Sequence, residues 1–103
     1  MSGGDWKAMF KAIQEKDLEL VSYYLRPGID PNYQHPEYMA LPLAESIRYK
    51  HIEIAELLLK NGANPQIREM ESGGSCLDLA HKMKLQGFID LFNTFFFNKI
   101  DYT

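Results

Sequence analysis

The sequence holds a single cysteine, Cys76, so no internal disulfide can form and the fold must rest on packing alone. One thiol suits a reducing compartment, and a cytoplasmic location is the expectation. No apolar run approaches the roughly 20 residues that a membrane-spanning helix needs, so no membrane partner is expected. Basic residues are in deficit: 11 Lys and Arg stand against 14 Asp and Glu, for a formal charge of −3. Nucleic-acid binding calls for clustered positive charge facing phosphates, and none is expected here. The opening stretch MSGGDWKAMFKAIQEKD has no uninterrupted apolar core of about 7–15 residues and does not read as a secretory signal.

Catalytic grammar is equally sparse. The three histidines, His35, His51 and His81, form no HxxxH with one another, and one cysteine cannot make a CxxC. Zinc sites take three or four ligands, so neither a metal nor a cofactor is expected. Gly73-Gly74-Ser75 lacks the lysine and spaced glycines of a phosphate-binding loop and reads as a loop ending in a serine cap. Glu69 and Glu71 read as solvated loop charges, because a catalytic carboxylate pair would need a cleft and a neighbour that raises one pKa. Cys76, Asp78 and His81 could be drawn as a small hydrolase centre, since Asp78 and His81 share a helical face. An inert thiol would favour the alternative, that Cys76 is core.

What the chain does contain is a repeat. Its 103 residues, 46% hydrophobic and 24% charged, suit one globular domain. At a shift of 34 residues Gly28 falls on Gly62, and Asp17-Leu18-Glu19-Leu20-Val21 falls on His51-Ile52-Glu53-Ile54-Ala55. Leu25 meets Leu59, Asp30 meets Asn64, Pro31 meets Pro65 and Met9 meets Leu43. A looser third copy places Ser75-Cys76-Leu77-Asp78-Leu79-Ala80 34 residues after Leu41-Pro42-Leu43-Ala44-Glu45-Ser46. Terminal copies of a stacked array have no neighbour on one side and diverge accordingly.

Each copy reads as helix, turn, helix and loop. In the middle copy the spacing predicts helices over about 42–49 and 52–60. Ile52, Ile54, Ala55, Leu58 and Leu59 form an apolar face on the second of these. Glu56 and Lys60 form an i,i+4 pair, Gly62 suits the left-handed residue that ends a helix, and Asn64-Pro65 leads into a turn. One such pair buries too little apolar surface to offset the entropy of ordering it. Stacking supplies the missing contact area.

The run L-P-L-A-E-S-I-R-Y-K-H-I-E-I-A-E-L-L-L-K-N-G-A-N at 41–64 resembles the ankyrin repeat, whose pattern is T-P-L-H-x-A followed by G-H-x-E-I-V-x-L-L-L-x-x-G-A-D. Leu41 stands for the family's Thr, Ala44 for its His and Lys50 for its Gly. Both loops between copies are one residue longer than the family norm. The resemblance implies an all-α solenoid over 5–97, with units of about 5–38, 39–72 and 73–97 and a tail at 98–103. It implies paired antiparallel helices, with loops projecting from one side and a concave recognition face.

The function implied is a non-catalytic module that binds a protein. In the family scheme Tyr33, Tyr38, Arg48, Tyr49, Arg68, Lys82 and Met83 fall on that face, and Tyr and Arg are prominent among interface hot spots. His51 occupies the family's G-H position, where its ring orders the turn between helices. These surface residues are expected to be dispensable for folding, so Arg48→Ala/Tyr49→Ala should leave the melting temperature nearly untouched. A monomer is expected. The alternative is a self-associating adaptor: Phe95, Phe96 and Phe97 cannot all face inward, because successive helical residues diverge by about 100°. Some would cap the stack, and the rest could pair with a second copy.

Overall fold

The computed structural model describes residues 3–101, with side chains over 5–95. Six helices follow one another: α1 (Gly3–Gln14), α2 (Leu18–Leu25), α3 (Pro42–Arg48), α4 (Ile52–Lys60), α5 (Cys76–Lys82) and α6 (Gln86–Asp101). Among the described residues there is no strand, only an isolated bridge between Arg68 and Ser75. The expected all-α repeat architecture is what forms.

Local chemistry sets each helix. In α1, Trp6, Met9, Phe10 and Ile13 are buried at the i, i+3, i+4, i+7 spacing of a single face. Asp17 caps α2 by accepting the Leu20 N–H at 3.1 Å, which satisfies one of the donors a helix start leaves free. Pro42 opens α3, at a position where its missing N–H costs nothing. Ser75 and Asp78 form a reciprocal capping box at α5, each side chain accepting the other's backbone N–H at 3.1 Å, as the serine-cap reading expected.

The turn between paired helices recurs at the same 34-residue interval. Lys16, Lys50 and Lys84 all lie in the left-handed region, with φ of 59°, 59° and 57°. At each, two backbone bonds close the helix end: Lys16 N–H to Ile13 and Asp17 N–H to Ala12, Lys50 N–H to Ile47 and His51 N–H to Ser46, Lys84 N–H to His81 and Leu85 N–H to Ala80. That is the Schellman pattern. The second helices of the first two units close on glycine instead, Gly28 at φ 80° and Gly62 at φ 99°, so those two positions are equivalent in backbone as well as in sequence.

The pairs α1–α2, α3–α4 and α5–α6 stack into two layers, with α1, α3 and α5 in mutual sequence in one and α2, α4 and α6 in the other. The core runs through all three units. Ile47, Ile54, Ala55 and Leu58 are fully covered, and Phe88, Ile89 and Phe92 close the far end. Being central, α3 buries Pro42, Leu43, Ala44, Ser46 and Ile47, whereas α2 buries Val21 and Leu25. Among the described residues no helix is long and apolar enough to cross a membrane.

Candidate interaction surface

The loops that follow α2 and α4 form an edge that carries Tyr33, Tyr38 and Arg68; the other four proposed contact residues lie on α3, α5 and their C-caps. Side-chain amides hold these loops to each other. Asn32 donates from Nδ2 to the Gly62 carbonyl at 3.0 Å and accepts the Asn64 N–H at 2.7 Å. Two residues on, Gln34 donates to the Arg68 carbonyl at 2.8 Å and accepts the Met70 N–H at 2.7 Å. A primary amide carries one donor group and one acceptor, like a peptide unit, so each acts as a side-chain rung between neighbouring loops. Asp30 and Asn64, 34 residues apart, make matching turns by accepting the N–H of Asn32 and of Gln66, each at 2.9 Å.

Arg48 and Glu69 tie this edge to α3. The Glu69 carboxylate is 1% exposed. It accepts the Leu41 N–H at 3.1 Å and Arg48 Nη1 at 2.9 Å, while Arg48 Nη2 engages its other oxygen. Arg48 also reaches Glu45 at 3.3 Å, and Glu71 lies 3.7 Å away. Gln14 in turn donates to Glu45 at 2.7 Å, so the network spans two units. Burial works to lower the Arg48 guanidinium, but the hydrogen bond and charge of Glu69, with Glu71 and Glu45 behind them, hold it above its ordinary value. Glu69 is therefore not the solvated loop charge the sequence suggested. Its partner is Arg48, and the expectation that Arg48 can be removed at no cost to folding is revised accordingly.

The remaining predicted contact residues differ in what they leave free. Tyr33 and Tyr49 are each 47% exposed. Tyr38 is half-buried, its ring 5.1 Å from Phe10 and 5.3 Å from His35. Arg68 is exposed and donates to the Gly73 carbonyl at 2.9 Å. Lys82 is exposed at the end of α5, and the adjacent Met83 is half-buried against the core. Met39 and Met70, absent from the sequence-derived set, are 48% and 56% exposed. Their loops meet where the Glu71 N–H donates to the Met39 carbonyl at 2.8 Å. Long-range pairing of loops has no sequence period, which is why these two were missed.

His51 donates from Nε2 to the Gln14 carbonyl at 2.9 Å. It thereby satisfies an orphan carbonyl at the end of α1 and bolts the second unit to the first. Phe95 packs against the core, while the side chains of Phe96 and Phe97 lie outside the described residues. Cys76 is fully buried, and burial first, then the charge of Glu69, pushes its thiol up to about 12. Asp78 is held below its ordinary value by the backbone N–H of Ser75 and then its hydroxyl. His81 is exposed. A protonated, covered thiol and a carboxylate committed to a helix cap do not make an activated nucleophile. An open cleft of about 820 Å³ lies along α2, between Leu18, Leu20, Tyr23 and Leu57. Its charged lining is of both signs, and Asp17 there is already spent on capping.

The family profile of the ankyrin repeat matches residues 39–69. Over 61 residues, 59% of its length, the chain is 36% identical to a human 2-5A-dependent ribonuclease, of which this stretch is 8%. Over 54 residues, 52% of its length, it is 33% identical to palmitoyltransferase AKR1 of Lachancea kluyveri, covering 7% of that protein. Over 84 residues, 82% of its length, it is 31% identical to ankyrin repeat and KH domain-containing protein mask-1 of Caenorhabditis elegans, covering 3%. The chain thus spans less than a tenth of each relative. Ankyrin repeats are generally protein–protein interaction modules. With the matched repeat at its centre and equivalent helix pairs on either side, the chain is an ankyrin-repeat protein.

Proposed function

We propose that this chain is a non-catalytic module that binds a protein partner along its loop and first-helix edge, with the units at 5–38, 39–72 and 73–97 acting as one domain. The observation that carries the reading is the nearly half-exposed pair Tyr33 and Tyr49, Tyr33 on a loop cross-linked to the next by Asn32 and Gln34 and Tyr49 fixed at the C-cap of α3. A surface whose backbone is held before contact loses less entropy on association, and exposed Tyr supplies area with a polar handle. In this reading Tyr33, Tyr49, Arg68 and Lys82 make contact. Tyr38 and Met83 frame them, and Arg48 holds the first helix against the loop.

The test is capture from native lysate with wild-type protein and with Tyr49→Ala/Arg68→Ala, followed by calorimetric titration of the partner identified by mass spectrometry. The double variant should weaken binding by about 2 kcal/mol or more, the scale of an interface hot spot, with an unchanged circular dichroism melt. Equal affinity for the two proteins, with the fold intact, would place the site elsewhere on the array.

A further inference from the structure

The loop after α2 and the start of α1 enclose a cleft of about 340 Å³ lined by Trp6, Ile29, Asp30, Tyr33 and His35. Three of those five are aromatic rings set close together. Trp6 and Tyr33 lie 5.5 Å apart between centroids at 45°, Trp6 and His35 6.5 Å apart at 50°, and Tyr33 and His35 6.4 Å apart, edge to face. Trp6, 3% exposed, is the floor, and Tyr33 is the open wall.

The one ionised group in the lining is the Asp30 carboxylate. Among the described residues no lysine, arginine or histidine pairs with it. Each wall is also fixed in place. Asp30 Oδ1 accepts the Asn32 N–H at 2.9 Å, and Asn32 is itself anchored to Gly62 and Asn64 of the next unit. His35 Nδ1 accepts the Glu37 N–H at 3.1 Å, which requires the neutral ring with its proton on Nε2.

We infer that this cleft seats a cationic side chain, a lysine or arginine with or without N-methyl groups, presented by the bound protein. Aromatic faces carry negative potential and attract cations, most strongly when the cation is partly desolvated. An unpaired carboxylate beside them adds the same preference, and the cleft holds no positive group to oppose it. The turn itself needs only a side-chain oxygen, which Asn64 supplies at the equivalent position of the next unit, so the charge of Asp30 is what the cleft adds. The inference rests on the interface reading above, because Tyr33 belongs to both, and it specifies the chemistry that the partner must bring to one end of that interface.

The test uses the full chain and four probes: the N-acetyl amides of lysine, trimethyllysine, arginine and the uncharged norleucine. Trp6 is the sole tryptophan and reports directly from the floor of the cleft. At least one cationic amide should change its fluorescence saturably, with a dissociation constant on the order of millimolar, as suits one isolated side chain, and norleucine amide should not. Which cation binds most tightly assigns the ammonium or guanidinium class.

Asp30→Asn keeps the oxygen that accepts the Asn32 N–H and removes only the charge. It should weaken the cation about fivefold or more, and Tyr33→Leu should do likewise by calorimetry. No preference for cations over norleucine amide, or unchanged binding in a folded Asp30→Asn protein, overturns the inference. The two readings fail separately. Inert amides with a partner lost in Tyr49→Ala/Arg68→Ala refute the cleft alone. Amides that bind while that variant keeps its partner refute the interface centred on Tyr49 and Arg68 alone.

Discussion

Removing the Arg48 guanidinium should unfold this protein at a markedly lower denaturant concentration. The change Arg48→Ala leaves Glu69, 1% exposed, with the Leu41 N–H at 3.1 Å as its remaining partner among those described. Breaking a buried ion pair from one side costs about 3–5 kcal/mol, because the surviving charge keeps its desolvation penalty without its attraction. The Arg48 side chain is itself 25% exposed, so water can enter the space it vacates. That argues for a value at or below the bottom of this range, about 2–3 kcal/mol. A domain of this size has a total stability of about 5–15 kcal/mol, so the loss is a large fraction of it.

Urea unfolding followed by Trp6 fluorescence and by far-ultraviolet dichroism measures the change. Coincidence of the two probes tests whether the array melts as one unit. The companion variant Arg48→Met/Glu69→Gln removes both charges and keeps an oxygen for the Leu41 N–H. It should recover at least half of the loss, since discharging both partners abolishes the penalty that discharging one exposes. A change below about 0.5 kcal/mol in Arg48→Ala, the range of ordinary surface substitutions, would refute the reasoning and return Arg48 to the solvent-exposed role its sequence position suggested.

Further outcomes follow from the core and the turns. Leu58 is fully buried, and Leu58→Ala should cost about 2–5 kcal/mol by lost transfer energy plus the cavity left behind; equilibrium urea unfolding checks it, and a shift under about 0.5 kcal/mol would remove Leu58 from the core. Lys50→Gly, at φ 59°, should stabilise by about 0.5–1 kcal/mol, because a left-handed backbone strains any residue with a β-carbon while glycine gives back part of the gain in unfolded-chain entropy; a lower denaturation midpoint would contradict this. Cys76, its thiol pushed up to about 12, should resist iodoacetamide in the native protein at pH 8 and react at once in 6 M guanidinium, as mass spectrometry would show. Labelling at equal rates in both conditions would mean that the thiol is neither buried nor protonated.

Sequence alone determined the repeat, and for a physical reason. Stacked helix pairs bury the same positions in each copy, so Met9 and Leu43, or Leu25 and Leu59, are apolar because they occupy equivalent places in one continuous core. Helix ends are local as well: the turns at Gly28 and Gly62, the Asp17 and Ser75 caps and the middle helices at Pro42–Arg48 and Ile52–Lys60 depend on bonds within a few residues, which a short window of sequence contains. Even the 34-residue recurrence of Lys16, Lys50 and Lys84 is visible there, although their left-handed backbone was signalled only at Lys50, standing where the family places glycine.

Tertiary structure decided the rest. Glu69 lies 21 residues from Arg48 and 28 from Leu41, and nothing in a window around residue 69 separates a buried carboxylate from a solvated one. Its burial depends on how the loop after α4 folds back over α3, and that was settled by loop pairing through Asn32 and Gln34 to residues 30 and more further along the chain. The loop after α2 likewise folds against α1 and gathers Trp6, Asp30, Tyr33 and His35 around one cleft. Repetition encodes which residues are inside; contacts between non-equivalent positions of neighbouring copies decide which polar residues are structural and which remain free to bind.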